Sequence, residues 1–150
     1  METNTTVIND LKGLVSILND GKEGYLSASE VTDSIELKDV FLRFASQRIG
    51  YAEELKGHIA LHGGNSENES GGILGILHRT WIDIKQALSS KEDEAILGAI
   101  ETGEKAAIER YDELIDDESH TDHIELLQKQ RTGILEALKE IETYHIRLER

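Results

Sequence analysis

The chain lacks cysteine altogether, and its 16 basic residues are outnumbered by 30 acidic ones over 150 positions. Without cysteine there is no disulfide framework, no thiolate metal site and no cysteine nucleophile. Zinc fingers, thiol proteases and redox dithiols are thereby excluded. The formal net charge of −14 repels phosphate backbones and anionic lipid, which argues against nucleic-acid and membrane-surface partners. No apolar run approaches the roughly 20 residues that span a bilayer. The amino terminus, METNTTVINDLKGL, has neither a basic n-region nor a small-residue cleavage site. These features predict a cytoplasmic protein, and the length predicts a single domain over 1–150.

What the sequence does contain is helical periodicity. Val7, Leu11, Leu14, Leu18, Gly21 and Tyr25 recur on one stripe, and Leu37, Phe41, Phe44, Arg48, Tyr51, Leu55 and Ile59 form a second. Shorter and later stripes follow through Ile73, Leu77, Trp81, Ile84 and Leu88, then Ile96, Ile100, Gly103, Ala107, Tyr111 and Leu114, then Ile124, Leu127, Arg131, Ile134, Leu138, Ile141 and His145. Spacing of this kind marks amphipathic helices. It predicts helices at about 4–33, 36–62, 72–88, 91–117 and 120–149. Ser89 with Glu92 has capping-box spacing, Ser119 with Asp122 resembles another helix start, and Gly63 to Gly72 reads as a polar loop. Tight breaks after the first and fourth helices require antiparallel hairpins. The fold expected is an all-α, up-down-down-up four-helix bundle with a shorter crossover helix between its two hairpins.

The two halves echo one another. Gly21-Lys22-Glu23 is matched by Gly103-Glu104-Lys105, and Gln47-Arg48 by Gln130-Arg131. Two hairpins related by a pseudo-twofold axis would produce this pattern.

Residues 19–25 (Asn-Asp-Gly-Lys-Glu-Gly-Tyr), Gln47-Arg48, the paired glycines and His78-Arg79-Thr80-Trp81-Ile82-Asp83-Ile84-Lys85 resemble a bacterial family of uncharacterised four-helix-bundle proteins placed in the ferritin-like superfamily. Gly103-Glu104 and Lys129-Gln130-Arg131 fit the second half of that family. The resemblance implies a ferritin-like fold and no defined activity. Di-iron members of the superfamily place a Glu on each of two helices and a Glu-x-x-His pair on each of the other two. Here Glu23 and Glu104 could fill the single-Glu slots, but the partner helices read Arg48-x-x-Tyr51 and Arg131-x-x-Ile134, or Gln47-x-x-Gly50 and Gln130-x-x-Gly133 one residue earlier. Neither register supplies a carboxylate and an imidazole.

Arg48 and Arg131 lie within apolar stripes, and a guanidinium buried there without a partner carries a prohibitive cost. The expectation is a buried polar layer of Glu23, Arg48, Glu104 and Arg131 in place of the metal centre. The alternative is that both arginines bury only their stems and reach outward.

Other constellations are separate. Glu142-Thr143-Tyr144-His145 is a literal Glu-x-x-His, and Glu54 with His58 approaches one, yet the topology puts the two at opposite ends of the bundle. His58 and His62 are i, i+4, and His120 and His123 are i, i+3, with Asp116, Asp117 and Asp122 nearby. Both histidine pairs have chelating spacing and suit zinc, nickel or copper. They also serve as solvated residues at helix ends, where positive charge suits the C-terminal dipole. Trp81 is expected to pack the crossover against the bundle. No phosphate loop and no hydrolase elbow is present.

Function therefore divides three ways: a non-catalytic bundle acting in stress physiology through self-association, a dimer being expected, or through protein contacts; a metal-handling protein with iron or zinc; or a small-molecule carrier using a cavity beside Gly21 and Gly103. The first, with no cofactor, is the reading taken forward.

Overall fold

The computed structural model describes residues 2–64 and 83–149. Helix α1 spans Glu2–Val31, α2 Ile35–Leu61, α3 residues 83–90, α4 Asp93–Ile115 and α5 Ile124–Glu149, with a 3-10 segment Glu118–His123 leading into α5. Among the described residues there is no strand, and the chain is all-α as its periodicity predicts. Trp81, His78, Arg79 and most of the Gly63–Gly72 loop lie outside the described residues.

Helix ends follow local chemistry. Ser34 caps α2 by accepting from the Leu37 amide at 3.1 Å, and Gly63 closes that helix in the left-handed region, with φ of 81°. The capping box expected from Ser89 and Glu92 does not form. Both serine hydroxyls turn back, Ser89 to the Gln86 carbonyl and Ser90 to the Ala87 carbonyl, while Lys91 takes a positive φ and Glu92 stands at the N-cap without a side-chain bond. Asp117, rather than Ser119, caps the turn before α5, accepting from the Ser119 amide at 2.9 Å.

Side-chain pairings define the packing. Tyr25 with Glu104, Thr32 with Asp93 and Asp10 with Arg110 run α1 against α4 in opposite directions. Arg43 with Glu140, Gln47 with Gly133 and Glu54 with Gln130 do the same for α2 and α5. The α1–α2 and α4–α5 pairs are the most extensively packed. The apolar interior falls into two clusters. One gathers Leu11, Leu14, Leu18, Leu55, Ile59, Tyr111 and Leu127, and the other Tyr25, Phe41, Phe44, Ile96, Leu97 and Ile141. On α2 and α4 they are separated by Arg48 and Glu104, which lie between Ala45 and Ala52 and between Ile100 and Ala107.

Candidate functional site

Arg48 is 2% exposed and Glu104 4%. At about 100° per residue, Arg48 falls at the centre of the stripe carrying Phe41, Ala52 and Leu55, and Glu104 falls between Ile100 and Tyr111 on one side and Leu97 and Ile108 on the other, all buried. Both side chains are thus forced inward and must satisfy each other. Arg48 Nη1 donates to Glu104 Oε1 at 2.6 Å and Nη2 donates to Oε2 at 2.5 Å, a bidentate, charge-assisted pair. The Tyr25 hydroxyl donates to Glu104 Oε2 at 2.7 Å, and Arg48 Nε donates to Gln47 Oε1 at 3.0 Å.

The surroundings fix this layer. Arg48 Cζ lies 5.4 Å from the centre of the Tyr25 ring, within cation–π range. Tyr25 packs in turn on Phe41 and Phe44, at 6.1 and 5.5 Å between ring centres. Gly21 eases the approach, since a Cβ there would stand 3.3 Å from Arg48 Nη1 and the guanidinium would have to give by a few tenths of an ångström. Burial alone would lower the Arg48 pKa, but the Glu104 charge and its hydrogen bonds outweigh it and hold the guanidinium firmly protonated. Burial, and then the Glu104 charge, push the Tyr25 hydroxyl well above its ordinary range. A cavity of about 40 Å³ lies beside the layer, lined by Asp20, Gly21, Gly103, Ile84 and Ile100 among others. Its size suits a few water molecules, well below the roughly 300–1,000 Å³ of typical ligand sites.

Two members of the expected layer stand elsewhere. Glu23 is exposed on α1, where it pairs with Lys22 at 3.3 Å. It lies about 200° around the helix from Gly21, on the opposite side from the stripe. Arg131 is half-buried and pairs with Asp112 on α4. Its neighbour Gln130 takes the inward position, accepting from the Tyr111 hydroxyl at 2.6 Å and donating to the Tyr51 carbonyl at 3.1 Å. Burial raises the Tyr111 pKa well above its ordinary value. Next to this group Gly133 is crowded by Tyr51, whose hydroxyl lies 1.9 Å from where a Cβ would be built.

Glu104 is the one buried carboxylate among the described residues. Both its oxygens bond to Arg48, and Oε2 also accepts from Tyr25. The donor set of a di-iron centre, several carboxylates with two imidazoles, is not assembled there. The residues present do not fit that cofactor. A cation at this place would also face the Arg48 charge, at about 4 kcal/mol per unit charge pair 4 Å apart for an effective dielectric of about 20.

The four histidines do converge. His120 is fully buried, and His123 is 3% exposed. His120 Nε2 meets Asp10 Oδ2 at 2.8 Å, and its Nδ1 meets His123 Nε2 at 2.8 Å. The His58 and His62 rings stand edge-on to His123, at 5.9 and 5.7 Å between centres. Burial, followed by the charges of His120, His58 and His62, pushes the His123 pKa down to about 4. Asp10, which also accepts from Arg110 at 3.3 Å, was not foreseen from the sequence. Its role appears only when α1 is laid beside the turn between α4 and α5. At the other end, His145 turns to Glu101 on α4 at 3.0 Å, so the Glu142-x-x-His145 spacing does not define the contact made.

Residues 6–117 match a family described as a domain of unknown function, DUF2383. The chain belongs to this family. No curated protein and no solved structure matches it. The DUF2383 match includes Asp10, Tyr25, Arg48, His58, His62 and Glu104, and it stops short of His120, His123 and Gln130. No helix among the described residues is long and apolar enough to cross a membrane.

Proposed function

We propose that the protein is a non-catalytic bundle of ferritin-like type, with an arginine–glutamate–tyrosine layer in place of a di-metal centre, and that it acts by self-association. The observation that carries the first half is the bidentate Arg48–Glu104 pair in the bundle interior. On this reading a fixed positive charge stands where a ferritin-like di-metal protein would hold cations, and the pair consumes the carboxylate that could have bound one. Iron retained in a Glu104-dependent manner would overturn this half.

The second half rests on an exposed apolar row along α2. Ile35, Leu42 and Ile49 are exposed, Ile35 by 82%, and they recur every seven residues, the period of a helix-packing seam. The end of α5 extends the row. Tyr144 and Arg147 reach Glu36 at 3.1 and 3.8 Å, and Ile146 beside them is also exposed. The occupant proposed is a second copy. An antiparallel α2 pair centred on Leu42 sets Ile35 against Ile49 and Lys38 against Ser46, so no like charges oppose one another, and the patch is self-complementary as a twofold interface requires.

The net charge of −14 per chain opposes that encounter, and salt relieves it as the screening length falls from about 10 Å at 0.1 M to about 3 Å at 1 M. Sedimentation equilibrium is expected to show a dimer that tightens with salt, and Ile49→Lys is expected to shift it to monomer. A monomer at every concentration and salt, or a dimer indifferent to Ile49→Lys, contradicts the proposal.

A further inference from the structure

We infer that the turn between α4 and α5 is an acid-sensitive latch, held against α1 and α2 by a chain of imidazoles at neutral pH and released when that chain takes up one further proton. The segment Glu118–His123 buries two of its side chains, His120 and His123. Its other residues, Glu118, Ser119, Thr121 and Asp122, are exposed or half-buried, so the turn has no apolar anchor. A turn pinned by leucine or isoleucine holds at any pH. One pinned by imidazoles holds according to charge, because imidazole is the side chain that ordinarily titrates between about pH 5 and 8. The backbone at the anchor is also non-helical, with φ of −105° and ψ of 19° at His120, so moving the segment breaks no continuous helix.

The hydrogen-bond chain decides where a further proton goes. The Asp10 carboxylate can only accept, so His120 Nε2 carries the proton in their 2.8 Å contact. One proton lies between His120 Nδ1 and His123 Nε2, also 2.8 Å apart, since two would collide there. With both rings neutral, His123 Nδ1 is left bare. That atom is buried and has no hydrogen-bond partner. A further proton on the two rings, whichever of them is counted as charged, therefore ends on His123 Nδ1, where no acceptor receives it. A buried cationic donor without an acceptor carries a far larger cost than a bare lone pair. Opening the turn gives that N–H to water.

The neighbours add to the cost. From α2, the His58 and His62 rings stand 5.9 and 5.7 Å from that of His123. From α1, Asp10 offers one negative charge, already shared with Arg110 of α4 at 3.3 Å. Within the turn, Asp117 accepts from the Ser119 amide and hydroxyl, and the exposed Asp122 favours a proton on His123. Burial, followed by the charges of the other imidazoles, outweighs Asp122 and lowers the His123 pKa from 6.5 to about 4. The opened turn thus binds the proton more tightly than the closed one, and the anchor is complete above about pH 6.5 and lost as pH falls toward about 4. The same nitrogens do not form a metal site. Among the described residues the ligand atoms within 4.8 Å of one another are those of Asp10, Asp117 and His120, so His58, His62 and His123 share no common point.

Release uncovers the apolar end of the bundle, since Leu114 and Leu127, both buried, flank the turn. The Arg48–Glu104 layer, about 16 Å along α4 from the turn, stays assembled.

The test is hydrogen exchange of tag-free protein read by mass spectrometry as protection factors, which remove the intrinsic pH dependence of exchange. Between about pH 7.5 and about pH 5, protection of residues 118–126 is expected to fall about 30-fold through His123 alone, while that of residues 97–108 holds. His123→Leu, which supplies an apolar anchor, keeps residues 118–126 protected across the range, and His145→Gln, at the other end of the bundle, behaves as wild type. Should His123→Leu not fold, nitrogen NMR of the wild-type imidazoles decides: His123 is expected to be neutral with its proton on Nε2 at about pH 5.5 while the turn is closed. Protection of 118–126 unchanged by about pH 5, protection lost in step with 97–108, a fall that persists in His123→Leu, or a protonated His123 ring in the closed turn overturns the inference.

Discussion

Glu104→Ala is expected to lower unfolding stability by about 3–5 kcal/mol, the cost of leaving one member of a buried ion pair alone in a packed interior. Arg48 would keep its charge at 2% exposure and lose both bonds of its fork, while the Tyr25 hydroxyl would lose its acceptor. Arg48→Met is expected to cost a similar amount, because the carboxylate is then stranded. Removing both behaves differently. Buried pairs replaced by apolar residues of similar volume are often neutral or stabilising, so Arg48→Met with Glu104→Leu is expected to recover most of the loss. The part not recovered is about 1–3 kcal/mol for the unpartnered Tyr25 hydroxyl. Urea unfolding midpoints of wild type, both single variants and the double variant measure the coupling. Single variants costing less than about 1 kcal/mol would mean that the layer does not hold the bundle together.

Phe41→Ala is expected to cost about 3–5 kcal/mol by deleting a fully buried ring. Phe41 is 0% exposed and packs against Tyr25, which in turn holds Glu104. The loss therefore has two parts: apolar contact and cavity, and a wall of the polar layer that no longer positions Tyr25. The second part makes Phe41→Ala non-additive with Tyr25→Phe, whereas Leu127→Ala, in the other apolar cluster, should add to Tyr25→Phe simply. Denaturant unfolding of the paired variants checks both statements.

Much of this architecture is legible in the sequence because four long stripes at helical spacing leave few ways to bury themselves. Arg48 could also be read, lying at the angular centre of its stripe, and Glu104 could be read from its place beside Gly103 in the echo of the two halves, about 40° from Ile100 and about 20° from Tyr111. Glu23 was misplaced for an instructive reason. The matched Gly-Lys-Glu and Gly-Glu-Lys triplets invite alignment of the two acids, but Glu23 is two residues past its glycine and Glu104 only one, and a single residue turns a helix by about 100°. The choice between Gln130 and Arg131 was harder, since both flank the stripe at comparable angles. The burial of Gln130 follows from Tyr111, whose hydroxyl needs an acceptor in the interior. Asp10 could not be found by pattern at all, because its meeting with His120, 110 residues away, exists only once the hairpins are packed.

The claim that an arginine–carboxylate layer replaces the metal centre is tested most directly by metal content. Tag-free protein would be loaded anaerobically with ferrous iron, desalted and measured by mass spectrometry, beside Glu104→Gln and His58→Ala. The expected result is no iron that depends on Glu104. About two irons per chain, as a di-metal site holds, lost in Glu104→Gln and kept in His58→Ala, would contradict the account.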